Sequence, residues 1–214
     1  MEKTIWKATI QEMLPGSDYT GLVLFVRHGE SESNVKNVLT DDLSGYPLTD
    51  IGIRQAENIG KEIATVSPSA IYTSPVQRAV ETASIISDFC GLIPVHDPRL
   101  RELGMGSLNN QSTLKFSHSS PGSSGVERWV SIASRMKEFL ETSEGIVIAV
   151  SHAYPIKVII SELLGVFEEA SRGIEIGHCS VSCISTDPDQ VISIGSRTVP
   201  SPDHFSSYGG TAHK

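Results

Sequence analysis

The chain has few cysteines, few basic residues and no long apolar segment. Its three cysteines are too few for a disulfide framework and match no zinc-ligand spacing, so we expect thiols in or near the core. No apolar stretch approaches the length of a membrane span, and the first residues lack the apolar segment of a secretion signal. We therefore expect a cytoplasmic protein that does not bind membranes.

Basic residues are outnumbered by acidic ones, because 17 Lys and Arg against 25 Asp and Glu give a net charge of −8. This balance argues against general binding of nucleic acids or membrane surfaces, both of which require clustered positive charge. It leaves anionic substrates open, since a few arginines can set the potential inside one pocket. The expected partner is therefore a small molecule and not a nucleic acid.

The length of 214 residues, with 39% hydrophobic and 20% charged residues, fits one globular domain with a sizeable core. Residues 1–20 form an N-terminal extension that ends in the turn-rich stretch 15–18. The polar tail from residue 200 to 214 is expected to be flexible.

Alternating strand and helix patterns predict an α/β fold with a mostly parallel central sheet flanked by helices. Short apolar runs predict strands at residues 22–26, 70–72, 93–95, 146–150, 181–184 and 191–194, the last two at one edge of the sheet. Helical spacing predicts helices from a cap at Thr49 or Asp50 to Val66, from Pro75 to Cys90, from Glu127 to Glu141 and from Pro155 to Leu164. Residues 31–47 have the pattern of irregular structure, and 107–125 that of a surface loop.

Arg27-His28-Gly29-Glu30 directly follows the first predicted strand. Ligands of open α/β sheets bind at this end of the strands. Arginine offers a donor fork for phosphate, histidine can act as nucleophile or proton carrier, and glycine lets the backbone approach a ligand. These residues favour phosphate chemistry on a histidine, although a strand end with a surface Arg and His would have the same pattern.

Two further strands end in polar residues that could meet the same anion. Arg78 lies one turn into the helix that follows strand 70–72, and Ser151-His152 follows strand 146–150. If the three strands are parallel neighbours, these side chains share one rim of the sheet. Taken separately, Arg78 could be a surface cation near Glu81 or Glu62, and His152 a hydrogen-bonded core histidine.

Five motifs in order resemble the histidine phosphatase superfamily, in its branch similar to cofactor-dependent phosphoglycerate mutases. The resemblance covers roughly residues 22–195. The motifs are Leu24-Phe25-Val26-Arg27-His28-Gly29-Glu30-Ser31 with Asn34, Pro47-Leu48-Thr49-Asp50-Ile51-Gly52 with Gln55-Ala56, Thr73-Ser74-Pro75 with Arg78-Ala79 and Thr82-Ala83, Leu100-Arg101-Glu102-Leu103 with Gly106, and Val150-Ser151-His152.

The resemblance implies a three-layer sandwich and a phosphohistidine mechanism. His28 would be the nucleophile, Arg27, Arg78 and His152 would hold the phosphate oxygens, and Asn34 would add a side-chain donor. Glu102 matches the family's general acid, which protonates the leaving oxygen and later activates water. A carboxyl in that role must be protonated near neutral pH, which burial beside the phosphate would favour. The scheme needs no metal, and no cluster of metal ligands is apparent.

The chain departs from true mutases of the family after Glu102. Mutases carry a longer insertion there, with residues that grip the carboxylate of phosphoglycerate, whereas this chain has a short Ser-rich loop. Lys115, His118 and Arg128 are its only basic side chains, and they can be substrate contacts or ordinary surface charge.

This departure favours a metal-independent phosphomonoester hydrolase that acts on a small phosphorylated metabolite and needs no cofactor. The alternative is a phosphoglycerate mutase, which would need 2,3-bisphosphoglycerate as a primer. A remote alternative is a non-catalytic module that binds phosphorylated ligands. The protein could be a monomer or a homodimer, since an edge strand such as 191–194 could pair between chains.

Overall fold

The computed structural model describes residues 21–113, 125–186 and 189–198. The predictions for the extension at 1–20, for the tail at 200–214 and for Lys115 and His118 fall outside the described residues. In chain order, the strands are β1 (Gly21–Arg27), β2 (Val38–Leu39), β3 (Ala70–Thr73), β4 (Val95–His96), β5 (Gln111–Ser112), β6 (Gly145–Ser151), β7 (Val181–Thr186) and β8 (Asp189–Ser196). The α-helices are α1 (Glu32–Val35), α2 (Asp50–Ala64), α3 (Gln77–Cys90), α4 (Trp129–Glu141) and α5 (Ala153–Leu164).

Six strands form one sheet in the order β4-β3-β6-β1-β7-β8. The first four are parallel, and β7 runs antiparallel to both β1 and β8. The predicted α/β class with a mostly parallel sheet is confirmed, as is the placement of the last two strands at one edge. Among the described residues, no helix is both long enough and apolar enough to span a membrane.

The centre of the sheet is buried on both faces because successive side chains of a strand point in opposite directions. In β1, Val23 and Phe25 pack into the cluster that contains α4 and α5. Leu22, Leu24 and Val26 pack on the other face, in the cluster that contains α2 and α3. Such two-sided burial explains why this strand has a continuous apolar run instead of an alternating pattern.

The predicted helices exist, with corrected starts. Thr49 caps α2, because its hydroxyl accepts a hydrogen bond from the Gly52 amide (3.1 Å). Pro75 was wrongly predicted at the first position of α3, which begins at Gln77 after Val76 as N-cap. Helix α5 begins at Ala153 and not at Pro155, and α4 at Trp129.

The structure contains a second, two-stranded sheet that the sequence did not predict. Strands β2 and β5 pair antiparallel, with Val38 opposite Ser112 and Leu39 opposite Gln111. They lie in the stretches predicted as irregular structure and surface loop, and two-residue strands are too short to produce a recognisable pattern. The prediction for the strand at 93–95 was also wrong in position, since β4 covers Val95–His96.

Candidate active site

Three parallel strands bring their polar ends to one edge of the sheet. The pairing places Arg27 of β1 opposite Ser151 of β6, and Thr73 of β3 opposite Val150 of β6. The backbone continues this register beyond the strands, because the His28 amide donates to the Ser151 carbonyl (3.0 Å). The predicted convergence of the three strand ends is therefore confirmed, and the parallel pairing of these strands causes it.

His28 is buried, with 2% of its surface exposed. Its Nδ1 lies 2.7 Å from the Gly29 carbonyl, and its Nε2 lies 3.1 Å from Arg78 Nε. Because a carbonyl only accepts and a guanidinium only donates, the proton sits on Nδ1 and the lone pair on Nε2. Burial, followed by the charge of Arg78, holds the pKa of His28 well below its usual range, so the ring is neutral. A neutral imidazole with its lone pair on Nε2 is a competent nucleophile.

The turn after His28 packs closely against the start of α2. A Cβ on Gly29 would lie 2.5 Å from the Gly52 carbonyl oxygen, and a Cβ on Gly52 would lie 2.0 Å from the Glu30 carbonyl oxygen. The Gly29 amide also donates to the Thr82 hydroxyl on α3 (3.0 Å). Both glycines are therefore required by close backbone approach, which holds His28 against two helices.

Arg78 connects the groups of the site. Its Nη2 donates to the Thr40 carbonyl (3.1 Å) and to His152 Nδ1 (3.3 Å), and it lies 3.6 Å from Glu102 Oε2. Only 3% of the residue is exposed, so the alternative of a surface cation is excluded. Burial lowers the pKa of Arg78 from its ordinary value, but an arginine remains charged at neutral pH.

His152 occupies the N-cap position of α5, without a side-chain capping hydrogen bond, and is fully buried. Since Nδ1 accepts from Arg78, the proton lies on Nε2, which is 2.8 Å from the Ser74 hydroxyl. Burial and the charge of Arg78 hold the pKa of His152 well below its usual range. Its ring centroid is 5.1 Å from that of His28, so both imidazoles face the same small space.

Glu102 approaches the two histidines from the segment between β4 and β5. Its Oε2 lies 3.5 Å from His152 Nδ1, and its Oε1 accepts from the Leu103 amide (2.9 Å). The side chain is 12% exposed. Burial raises the pKa of Glu102, and the charge of Arg78 opposes this only in part. A carboxyl with a raised pKa keeps its proton to a higher pH than an exposed carboxyl, and that proton is available for a leaving oxygen.

Arg27 is held by the turn that precedes β7. Its Nη1 donates to the Ile176 carbonyl (2.8 Å) and its Nη2 to His178 Nε2 (2.7 Å). Burial and the nearby Arg27 lower the pKa of His178 to about 4, so this ring is a neutral acceptor. The His178 ring lies 5.9 Å from that of His28. A cavity of about 490 Å³ adjoins this pair on the side of α2 and also contains Arg197 in its wall.

His178 could not be predicted from the sequence, because it lies in a turn without a motif. The adjacent Cys179 gives a structural signal, since its φ of 49° is unusual for a residue with a side chain. In this conformation the Cys179 amide points at the Arg27 carbonyl (3.0 Å). Cys179 and Cys183 are buried and Cys90 is half-buried, as predicted.

The other predicted contacts are less connected to this centre. The Asn34 side-chain oxygen accepts from the amide (3.0 Å) and hydroxyl (2.8 Å) of Ser31, which fixes the turn at α1. Its amide nitrogen makes no hydrogen bond within the part of the chain that the structure describes, and its phosphate contact stays a prediction. Arg128 is exposed at the N-cap of α4, and its predicted substrate role stays untested. Residues 21–113, 125–186 and 189–198 contain no cluster of three or more side chains suited to a metal ion.

A family model of the histidine phosphatase superfamily (branch 1) matches residues 23–194. The chain belongs to this superfamily. It is 33% identical over 183 residues to a 2,3-bisphosphoglycerate-dependent phosphoglycerate mutase of Thermoplasma acidophilum, which covers 81% of this chain and 92% of the relative. It is also 33% identical over 178 residues to a probable phosphoglycerate mutase GpmB of Yersinia pestis, with 75% and 82% covered. The predicted superfamily is confirmed, and the chain is an enzyme of the histidine phosphatase and phosphoglycerate mutase type.

Solved structures share the fold. Bacillus stearothermophilus YhfR superposes with a TM-score of 0.73 at 24% identity, over 82% of this chain and 97% of that chain. A putative alpha-ribazole-5'-P phosphatase of Escherichia coli gives 0.71 at 21%, over 84% and 99%. A mycobacterial glucosyl-3-phosphoglycerate phosphatase gives 0.69 at 19%, over 82% and 98%. At these identities the similarity shows the fold alone.

Proposed function

We propose that this histidine phosphatase hydrolyses phosphomonoesters of small metabolites through a phosphohistidine on His28. The observation that carries the proposal is the tautomer of His28, whose Nε2 lone pair faces Arg78 beside His152 and Glu102. Packing alone would explain a buried neutral histidine. It would not require a buried guanidinium (Arg78) and a buried carboxyl (Glu102) in the same site. Charge neutralisation and positioning are the demands of phosphoryl transfer.

In the first step, His28 Nε2 attacks phosphorus and the bond to the ester oxygen breaks. An oxygen of the phosphate must first replace His28 Nε2 as acceptor of the Arg78 Nε–H, which frees the lone pair. Arg27 and Arg78 hold the non-bridging oxygens. The negative charge of the substrate also favours the protonated form of His152, whose Nδ1–H can then donate to a third oxygen.

Glu102 supplies the proton to the departing oxygen, so that an alcohol leaves instead of an alkoxide. The ionised carboxylate then removes a proton from water, which attacks the phosphohistidine. The products are inorganic phosphate and a free His28, and the water proton has returned to Glu102. The scheme needs no cofactor, because the phosphoryl group passes only from substrate to His28 to water.

The second candidate is a phosphoglycerate mutase primed by 2,3-bisphosphoglycerate, and the Thermoplasma relative favours it. A mutase must retain the phosphorylated intermediate and exclude water, which requires extra contacts to the substrate carboxylate. Arg128, the candidate for such a contact that lies within the described chain, is exposed. The short Ser-rich stretch that replaces the mutase insertion favours hydrolysis over retention of the phosphoryl group.

Phosphorus NMR of the purified protein with 3-phosphoglycerate distinguishes the two candidates. The reaction is followed with and without catalytic 2,3-bisphosphoglycerate, and His28→Ala is the control. We expect either release of inorganic phosphate from 3-phosphoglycerate or no reaction with this substrate. In the second case, a panel of other phosphomonoesters should contain one from which the protein releases phosphate. Formation of 2-phosphoglycerate well above the rate of phosphate release would instead identify a mutase. Turnover by His28→Ala would contradict both.

A further inference from the structure

The segment that carries Glu102 has no helix or strand from Arg101 to Met105. Upstream of it, the chain is fixed to the sheet: the Asp97 amide donates to the Thr73 carbonyl (2.8 Å), and the Ser151 hydroxyl donates to the Leu100 carbonyl (2.8 Å). An acid that must donate to a single oxygen needs positioning to a fraction of an ångström. Something other than regular secondary structure must provide that precision.

Arg135, a residue of α4, contacts the backbone of this segment. The residue is 8% exposed, and its Nη1 donates to the Arg99 carbonyl (2.5 Å) while its Nη2 donates to the Glu102 carbonyl (3.3 Å). The rigid, planar fork of a guanidinium can bind two backbone carbonyls at a fixed spacing, which a lysine ammonium cannot do. One side chain thus fixes the backbone of Glu102 relative to a helix 33 residues further along the chain.

Glu127 contacts the backbone at Gly104, which follows Glu102 in the chain. Its carboxylate accepts from Arg135 Nε (3.0 Å) and Nη2 (3.1 Å), which is a two-point ion pair, and from the Gly104 amide (3.1 Å). The Glu127 amide in turn donates to the Gly104 carbonyl (2.8 Å). The packing is close, since a Cβ on Gly104 would lie 3.3 Å from the Glu127 Cβ.

We propose that the Arg135–Glu127 pair positions the general acid, by holding the backbone on both sides of Glu102 so that its carboxyl faces His152 and Arg78. Arg135 and Glu127 are positioning residues, because their contacts are to the backbone of the segment. The inference rests on the proposed function, since it requires Glu102 to be the proton donor. The charge of Arg135 also counteracts part of the rise in the pKa of Glu102 that burial causes.

The test is Arg135→Lys, which keeps the charge and loses the two-carbonyl fork. We would measure kcat/KM for p-nitrophenyl phosphate and for glycerol 2-phosphate, because kcat/KM reports only the steps up to departure of the leaving group. p-Nitrophenolate leaves without a proton, whereas glycerol needs one. If the acid is displaced, kcat/KM for glycerol 2-phosphate should fall about tenfold or more, and kcat/KM for p-nitrophenyl phosphate should fall about threefold at most.

Two controls separate positioning from stability. Arg101→Met removes another ion pair to the same Glu127 carboxylate (3.1 Å) but leaves both carbonyl contacts of Arg135, so both substrates should react normally. Ile63→Val destabilises the cluster on the opposite face of the sheet and should change both substrates equally, if at all. If Arg135→Lys does not fold, Glu127→Gln, which is isosteric and leaves at least two donors without a carboxylate oxygen, tests the same prediction.

Glu102→Gln separates failure of the inference from failure of the proposed function. A selective loss for glycerol 2-phosphate in both Glu102→Gln and Arg135→Lys supports the positioning role. A selective loss in Glu102→Gln with equal losses in Arg135→Lys overturns the positioning role and leaves the acid in place. Equal losses in Glu102→Gln contradict the proton donor itself, and the inference falls with it.

Discussion

Gly52→Ala is expected to reduce the activity of the enzyme strongly without changing any catalytic group. Gly52 lies in the first turn of α2, and a Cβ there would be 2.0 Å from the Glu30 carbonyl oxygen. Real Cβ contacts are essentially never shorter than 3.0 Å, so helix and turn must separate by about 1 Å. The Glu30 carbonyl is only two residues from His28 and also accepts from the Thr49 amide (2.9 Å).

The expected magnitude follows from this displacement. A shift of about 1 Å in the nucleophile reduces kcat/KM by about 100-fold. Forcing an extra methyl group between packed backbones also costs roughly 1–3 kcal/mol of unfolding free energy. For a domain of this size, that corresponds to a decrease in Tm of about 2–12 °C.

The assay is kcat/KM for p-nitrophenyl phosphate together with Tm from circular dichroism. Gly173→Ala is the matched control, because a Cβ on Gly173 would meet no atom within 4 Å, so both quantities should stay at wild-type values. Gly29→Ala should reproduce the loss, since its Cβ would lie 2.5 Å from the Gly52 carbonyl oxygen. Wild-type activity in folded Gly52→Ala would refute the argument that this contact positions His28.

Four further expectations concern the site itself. His28→Ala should form no acid-labile phosphoenzyme in a rapid-quench experiment with labelled substrate, and a normal phosphoenzyme would place the nucleophile elsewhere. Because burial raises the pKa of Glu102, the kcat/KM profile for alkyl phosphates, corrected for ionisation of the substrate, should fall as the pH rises through that raised pKa and the acid loses its proton. Glu102→Gln should remove this fall, and its persistence in that variant would assign it to another group. His178→Ala removes a 2.7 Å contact of Arg27 and should weaken inhibition by vanadate roughly tenfold, about 1.4 kcal/mol, so unchanged inhibition would show that Arg27 needs no such support. EDTA should leave turnover intact, because arginines supply the positive charge that is proposed to neutralise the phosphate. Inactivation by EDTA would indicate a required metal.

The central strands β1 and β6 could be predicted from the sequence because they are continuous apolar runs buried on two faces. β1 and β6 have seven residues each, and each strand has polar residues at its C-terminal end that the sequence pattern identifies. The cap of α2 was predicted as Thr49 or Asp50, and the structure shows Thr49; capping is a local interaction between residues three apart, so the sequence narrows it to neighbouring positions. Pro75 shows the limit of local rules: a proline suits the first turn of a helix, yet α3 begins two residues later.

Contacts between distant segments could not be predicted from the pattern. β2 and β5 are two residues each and are defined only by pairing with each other. His178 approaches Arg27 across 151 positions of sequence, and its turn has no apolar period to mark it. The Arg135–Glu127 pair had the pattern of ordinary helix and loop charges, because its significance depends on the irregular segment that it contacts.

The sequence by itself determined the α/β class, the superfamily and the residue types of the candidate site, because these follow from local periodicity and from short motifs. Only the tertiary structure decided the protonation of that site. The tautomer of His28 depends on a carbonyl and a guanidinium that meet it from different elements, and the raised pKa of Glu102 depends on burial. Both are effects of surroundings assembled from segments far apart in the chain, and a chemical site is defined by those surroundings as much as by its residues.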